Sequence, residues 1–490
     1  MVSFGKKDVP CSWKLLCLAL FSIALIGSIT IAYEWRLAVW IFFAIGGAVA
    51  AIALPLTKIV GLIFVLLPFQ LFLPLIDAPT ISLAEALVVI AFCKFLIQLL
   101  LDQRRLVPTS LDKLILIIIM TVILSFFFSP SFNSSLKGTI LLAIFFMIYY
   151  LVTNTATTKV RVYTLINYLL AGGIAQSAIG LLQFLGGEKA AWGFLLSPLA
   201  PWLYHPDRLA QKVWAEDTNF LMFGRYFPFG TFVNSIDYAV YLAMISGLSI
   251  SLTLCLPPSR SRKIKGLTSI ILVGMTALTL KGTGWVALIA GLIFIALLRL
   301  ANVTSIIVIG GIILAMGMVT GLYEISQQRV GFFLSPEGSL IRRLPIWKHY
   351  LQVFAERPII GHGFYTSLLF APLHSTYQRG VRVTVSCPTE NFYVALLVEV
   401  GLIGLITFVC VFIQVVKTAL QSYRRSRVPE LRGVALGIGA ASVALAAGNF
   451  TANIQMGEQI SLLFWSIAGL AVALSRLEGK HVDSRSGVIK

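Results

Sequence analysis

The residues able to do chemistry sit in short polar stretches of an otherwise apolar chain. Glu390, in CPTENFYVALLVEV, stands where a long apolar run begins. Its carboxylate either complements a helix dipole from the first turn, after Pro388 and Thr389, or takes a proton from a hydroxyl as a general base. Arg225, in GRYFPFGTF, and Arg343, beside Arg342 in RRLPIWKHY, carry guanidinium groups that remain charged and fork onto phosphate oxygens. Each is otherwise an interfacial or surface-helix arginine. Lys281, in LTLKGTGWVAL, is either a topological anchor or a further phosphate contact among glycines that allow close approach. Asn234 and Asn391 are polar neighbours of these groups, and Asp237 reads best as a helix cap.

Of His349, His362 and His374, the last is best placed to act, near Tyr377, Arg379 and Arg382, although each reads more simply as a surface residue. The glycines of GHGF have no strand before them and read as a turn. No Walker motif and no metal-ligand spacing of Cys and His is present, so the expected chemistry uses no cofactor and no metal. Only Cys387 of the six cysteines is expected in an outward loop, which excludes a disulfide framework.

The elements that must position these groups are hydrophobic spans. The chain of 490 residues is 58% hydrophobic and 12% charged, where a soluble domain has about a quarter of its residues charged. Its apolar runs are continuous, not alternating, which indicates helices and excludes a closed barrel. Spans are expected near 13–33, 36–55, 59–76, 82–101, 112–128, 138–153, 162–185, 237–256, 267–280, 284–301, 304–321, 390–416, 433–449 and 459–475. The class is therefore all-α: one polytopic transmembrane domain over 1–490 with about 14 helices, and no fewer than about 12. The run at 13–33 lacks a small-residue cleavage site and reads as a retained helix.

A net charge of +18 would suggest nucleic acid for a soluble protein. Here Lys and Arg gather in short loops on one side, while the short connections on the other carry only Arg36, Lys137 and Lys281. That asymmetry puts both termini in the cytoplasm and makes membrane lipid, not nucleic acid, the surrounding partner. Two long outward loops result, 186–236 and 322–389, aromatic enough to fold and expected to hold short surface helices. One is expected at 342–357, with Trp347, Leu351, Val353 and Phe354 forming an apolar face. Glu399 lies nine residues beyond Glu390, half a turn out of phase and about 13 Å deeper on a regular helix. A carboxylate at that depth needs a partner, and Lys94 is one option.

Together, GTFVNSIDYAVYL, the Thr-Gly-Trp of LTLKGTGWVAL, the run from Arg343 through Trp347 to RPIIGHGF, and ENFYVALLVEVGLIGLI resemble the O-antigen ligase and polymerase superfamily, in family order. The resemblance covers about residues 137–416 and implies a bacterial inner-membrane enzyme. Such an enzyme moves a glycan from an undecaprenyl diphosphate carrier to a glycan or lipid acceptor, alongside envelope polysaccharide assembly proteins. It implies that Arg225 and Arg343 hold the diphosphate while a base activates the acceptor hydroxyl. Two positions depart from the pattern. Glu390-Asn391 replaces the usual His-Asn, and Lys281-Gly282 replaces the usual Ser-Arg. The competing expectations are a small-solute or inorganic-carbon transporter, which would use mid-membrane charges and broken helices, and an inactive envelope-assembly scaffold.

Overall fold

The computed structural model describes residues 53–69, 82–101, 106–195, 227–232, 234–299, 343–378 and 381–486. The expected spans at 13–33 and 304–321, nearly all of 36–55, and Arg225 and Arg342 lie outside the described residues.

The described chain is a helical bundle. Its helices are α1 Leu56–Leu66, α2 Leu83–Leu100, α3 Asp112–Phe126, α4 Phe132–Thr155, α5 Lys159–Leu195, α6 Ser235–Cys255, α7 Arg260–Leu278, α8 Gly282–Arg299, α9 Arg343–Glu356, α10 Phe392–Arg425, α11 Pro429–Thr451 and α12 Glu458–Ser486. Among the described residues, 8 helices are long and apolar enough to cross a membrane. The protein is thus a polytopic helical membrane protein, while the expected figure of about 14 spans is not reached by these helices. Leu100, Phe127 and Leu185 stand well exposed on the bundle surface, as lipid-facing side chains do.

Helix starts follow local chemistry. Ser82 and Glu85 form a reciprocal capping box on α2, which gives the fully buried Glu85 its partners one turn away. Asn234 caps α6, accepting from Asp237 N at 2.7 Å while its amide donates to the Asp237 carboxylate at 2.9 Å. Helix α6 is the buried axis, packed by α7, α8 and α11. Small residues let the backbones close in: a Cβ on Gly437 would meet Leu248 Cα at 2.8 Å, and one on Gly284 would meet Ala239 Cβ at 2.5 Å.

The turn 227–232, just after Arg225 in sequence, is held by two glutamines of α5. Gln183 Oε1 accepts from Phe229 N and Gly230 N at 3.0 and 2.8 Å, and its amide donates to Gly230 O at 2.8 Å. Gln176 pairs with Thr231 through both ends of its amide. The Pro68 carbonyl accepts from Gln176, Thr231 and Gln459 together. Replacing Gln183 with Leu strands buried backbone groups at about 1–3 kcal/mol each. The expected outcome is a lower melting temperature in detergent, by about 2–4 °C per kcal/mol for a chain of this size or somewhat less; an unchanged value would mean the turn stands without the clamp.

One element departs from the all-α expectation. Leu373–Gln378 and Val381–Ser386 form an antiparallel hairpin, β1 and β2, in register from Leu373↔Ser386 to Gln378↔Val381. Val381, Val383 and Val385 alternate with Arg382, Thr384 and Ser386, a period-two pattern that favours a strand over a surface helix. The helix expected at 342–357 is present as α9, but with a different apolar face. Tyr350 and Val353 are buried there, with Ile346 and Phe354 beside them, while Leu351 is exposed.

Candidate functional site

Helix α9 lies across the start of α10, with Tyr350, Val353 and Val398 buried between them and Ile346, Phe354 and Val394 around these. This docking aims one face of α9 at the segment 388–391. Arg343 and Trp347, one turn apart and therefore on the same side, both reach it. Trp347 Nε1 donates to Thr389 O at 2.8 Å, and Arg343 Nε donates to Glu390 Oε2 in an ion pair. The Arg343 side chain is 11% exposed and that of Glu390 38%, so the guanidinium is sheltered and the carboxylate open to solvent. Nε is engaged by Glu390, which leaves the Nη groups of Arg343 to face phosphate-like oxygens.

Glu390 is not a first-turn residue. Asn391 is the N-cap of α10, accepting from Tyr393 N and Val394 N at 2.9 and 3.1 Å and donating to Phe450 O at 3.0 Å. Glu390 stands just outside, at φ 46°. The other described non-glycine residues with positive φ are Leu280, next to Lys281, and Tyr365. Each such conformation costs about 1–3 kcal/mol and persists where the surroundings impose it, a habit of functional sites. Lys281 precedes α8 with its ammonium 3.9 Å from the centre of the Phe227 ring, a cation–π contact.

Just beyond Glu399 the helix departs from the regular one expected. Helix α10 breaks at Gly401, where φ is 66° and ψ −167°. The GHGF turn docks into the break. His362 N donates to Val398 O at 2.8 Å, Gly363 N to Glu399 O at 2.9 Å, and Leu402 N to Pro358 O at 2.9 Å. These replace the helical bonds that the break removes. A Cβ on Gly401 would stand 2.3 Å from Ile359 O, and one on Gly361 2.5 Å from Glu399 O, so both glycines are needed for the approach. Beyond the break, 402–425 alone is long enough to cross a membrane. Lys94 does not pair with Glu399 and donates to Leu54 O at 2.7 Å.

Instead Glu399, 1% exposed, receives a hydrogen bond from Ser367 N at 3.0 Å. It lines a cavity of about 380 Å³ together with Ser134, Lys137, Tyr350, Tyr365, Thr389 and Asn453, among others. Burial, and then the nearby Glu399 carboxylate, push the Tyr350 hydroxyl above its ordinary range, so it stays a donor. A larger cleft, about 700 Å³, is edged by Arg260, Arg262 and Lys263 at the opposite end of the bundle, and no predicted site residue among the described residues lines it.

The structure thus brings Arg343, Glu390 and Asn391 together. Asn234 is engaged as a helix cap, and His374 lies on β1 opposite Val385. His349 and His362 are structural: their Nε2 atoms bond Phe370 O and Val353 O, and His362 is buried. Sequence reasoning missed Lys137 and Glu399 as cavity residues. The only signal for Glu399 was a carboxylate within an apolar run, two residues before a glycine.

Residues 267–409 match the model of a protein family described as O-antigen ligase. The match spans α7 to the part of α10 beyond its break and includes Lys281, Arg343, Glu390 and Glu399. No curated protein matches the chain.

Proposed function

We propose that this protein is a membrane glycan transferase, moving an oligo- or polysaccharide from undecaprenyl diphosphate to an acceptor hydroxyl in surface or exopolysaccharide synthesis. The observation that carries the reading is the Arg343–Glu390 pair, a sheltered cation beside an open carboxylate within the matched segment. Arg343, through its Nη groups, holds the donor diphosphate, with Lys281 and Arg225 as further cations and Arg342 beside them in sequence. Glu390 Oε1 takes the proton of the acceptor hydroxyl. The acceptor oxygen then attacks the anomeric carbon, the carbon–oxygen bond to the diphosphate breaks, and undecaprenyl diphosphate leaves. Charge developing on the leaving group is met by cations already in place. Asn391 fixes the start of α10, and with it the direction of Glu390. The carrier bond is already activated, so no nucleotide or metal enters the scheme.

In this reading the Arg343 end of the bundle faces outward from a bacterial inner membrane. The other end carries Arg260, Arg262, Arg299, Arg424, Arg425, Arg432 and Arg476, as cytoplasmic ends do. Transport is the competing reading, and the break in α10 beside Glu399 is the kind of feature it requires. Two observations favour transfer. The peptide groups at the break are satisfied by the 358–363 turn instead of facing an ion path, and Lys94 is bound to a backbone carbonyl.

The test is incubation of the purified protein with an undecaprenyl-diphosphate oligosaccharide and a set of lipid and glycan acceptors, following release of undecaprenyl diphosphate. Lys281→Ala is expected to raise the donor KM about tenfold, the loss of one charge-assisted contact. A wild type that releases no carrier overturns the reading.

A further inference from the structure

The cavity beside Glu399 holds a set of polar atoms whose hydrogen-bonding capacity is unused. Glu399 Oε2, Thr389 Oγ1 and Asn453 Oδ1 are all buried and without a hydrogen-bond partner, and all three residues line the same space. An unsatisfied buried polar atom costs about 1–3 kcal/mol, and native proteins keep few. Three around one void make it a polar site able to take a ligand that supplies partners. The volume, about 380 Å³, falls within the range of about 300–1,000 Å³ for small-molecule sites.

The lining also defines the chemistry. Ser134 and Lys137 come from α4, Tyr350 from α9, Ser367 from the segment before the hairpin, Thr389 from the approach to α10, and Asn453 from the turn after α11. These are both donors and acceptors, with one buried carboxyl group and one ammonium. The aromatic rings of Tyr350 and Tyr365 add flat apolar surface. A diphosphate fits poorly, because the lining offers it a single cation, Lys137, and a buried carboxyl group. A neutral polyhydroxylated ring fits, its hydroxyls both donating and accepting. The cavity is held rigidly: Ser367 N fixes one Glu399 oxygen, and Ser135 Oγ ties α4 to Phe364 O at 3.0 Å. Thr389 lines it and the next residue is Glu390, so a sugar seated here lies beside the proposed base.

We infer that this cavity is the subsite for the terminal sugar of the acceptor, with Glu399 Oε2 and Asn453 Oδ1 accepting hydrogen bonds from its hydroxyls. The inference rests on the transferase reading for the word acceptor. The absence of a negative group on an acceptor sugar, against the diphosphate on the donor's reacting sugar, selects the acceptor.

Saturation-transfer NMR tests this on the full chain in nanodiscs, with methyl glycosides of glucose, galactose, mannose and N-acetylglucosamine as probes. Wild type is expected to bind at least one of them, with about tenfold weaker binding in Glu399→Gln and in Asn453→Ala. Asn453→Ala, which leaves the break in α10 untouched, serves if the Glu399 variant fails to fold. No binding of any glycoside, equal binding by wild type and folded variants, or displacement of the glycoside by geranyl diphosphate overturns the inference. Because the readout is binding, it stands or falls independently of turnover. A wild type that binds glycoside but releases no carrier sinks the transferase reading and leaves a sugar site. One that transfers but shows no variant effect keeps the reaction and loses the subsite.

Discussion

Glu390→Gln is expected to lower the turnover of glycan transfer by about a hundred- to ten-thousand-fold, the usual contribution of a positioned general base. The amide keeps the size of the side chain and can still accept from Arg343, but it cannot take the acceptor's proton. Stability should hardly move. Glu390 is 38% exposed, and an ion pair in that setting contributes about 0–1 kcal/mol. Turnover and melting temperature measured on the same preparation therefore separate a chemical loss from an unfolding one. Arg343→Ala should lower kcat/KM about a hundred- to a thousandfold, as loss of a preorganised cation does, and the double variant should fall short of the product of the two, since the groups act on one reaction coordinate. Unimpaired turnover in the Gln variant would move the base role elsewhere, to His374 as the remaining sequence candidate.

Gly401→Ala is expected to destabilise the fold by about 3–5 kcal/mol. A left-handed non-glycine conformation contributes about 1–3 kcal/mol. The rest comes from the added Cβ, which would sit 2.3 Å from Ile359 O and push the 358–363 turn away from α10. That turn makes the hydrogen bonds to Val398 O, Glu399 O and Leu402 N, worth about 1 kcal/mol each. Thermal unfolding in detergent reads the effect, and Gly361→Ala should reproduce most of it from the other side of the contact. A Gly401→Ala protein as stable as wild type would show that the helix runs through position 401 at no cost.

The difference between these two residues shows what the sequence discloses. Glu390 was legible because a lone carboxylate at the edge of an apolar run is expensive to place at random, and Arg343 because an arginine pair before Pro345 and Trp347 stands out in a chain with so few charges. Helix α9 and the spans among the described residues follow from apolar periodicity and length. The break at Gly401 was not legible. VEVGLIGLI reads as an ordinary membrane helix, and only the docking of a turn about 40 residues earlier in sequence makes that glycine a hinge point. The partner of Glu399 was not legible for the same reason, since Ser367 reaches its carboxylate only behind the turn that docks at this break. Lys137 was weighed as a marker of topology, and nothing in its neighbourhood announced a cavity shared with α9 and α11's end. The hairpin hid because its valine alternation is short and flanked by arginine and glycine.

The Pro68 carbonyl, which accepts from Gln176, Thr231 and Gln459, ties together parts of the chain made at very different times. Gln459 opens α12, which leaves the ribosome after every other helix described. The turn following Arg225 therefore waits, with its anchoring carbonyl incompletely bound, until Gln459 has been made. The full clamp on this turn is thus completed as a late event of biogenesis.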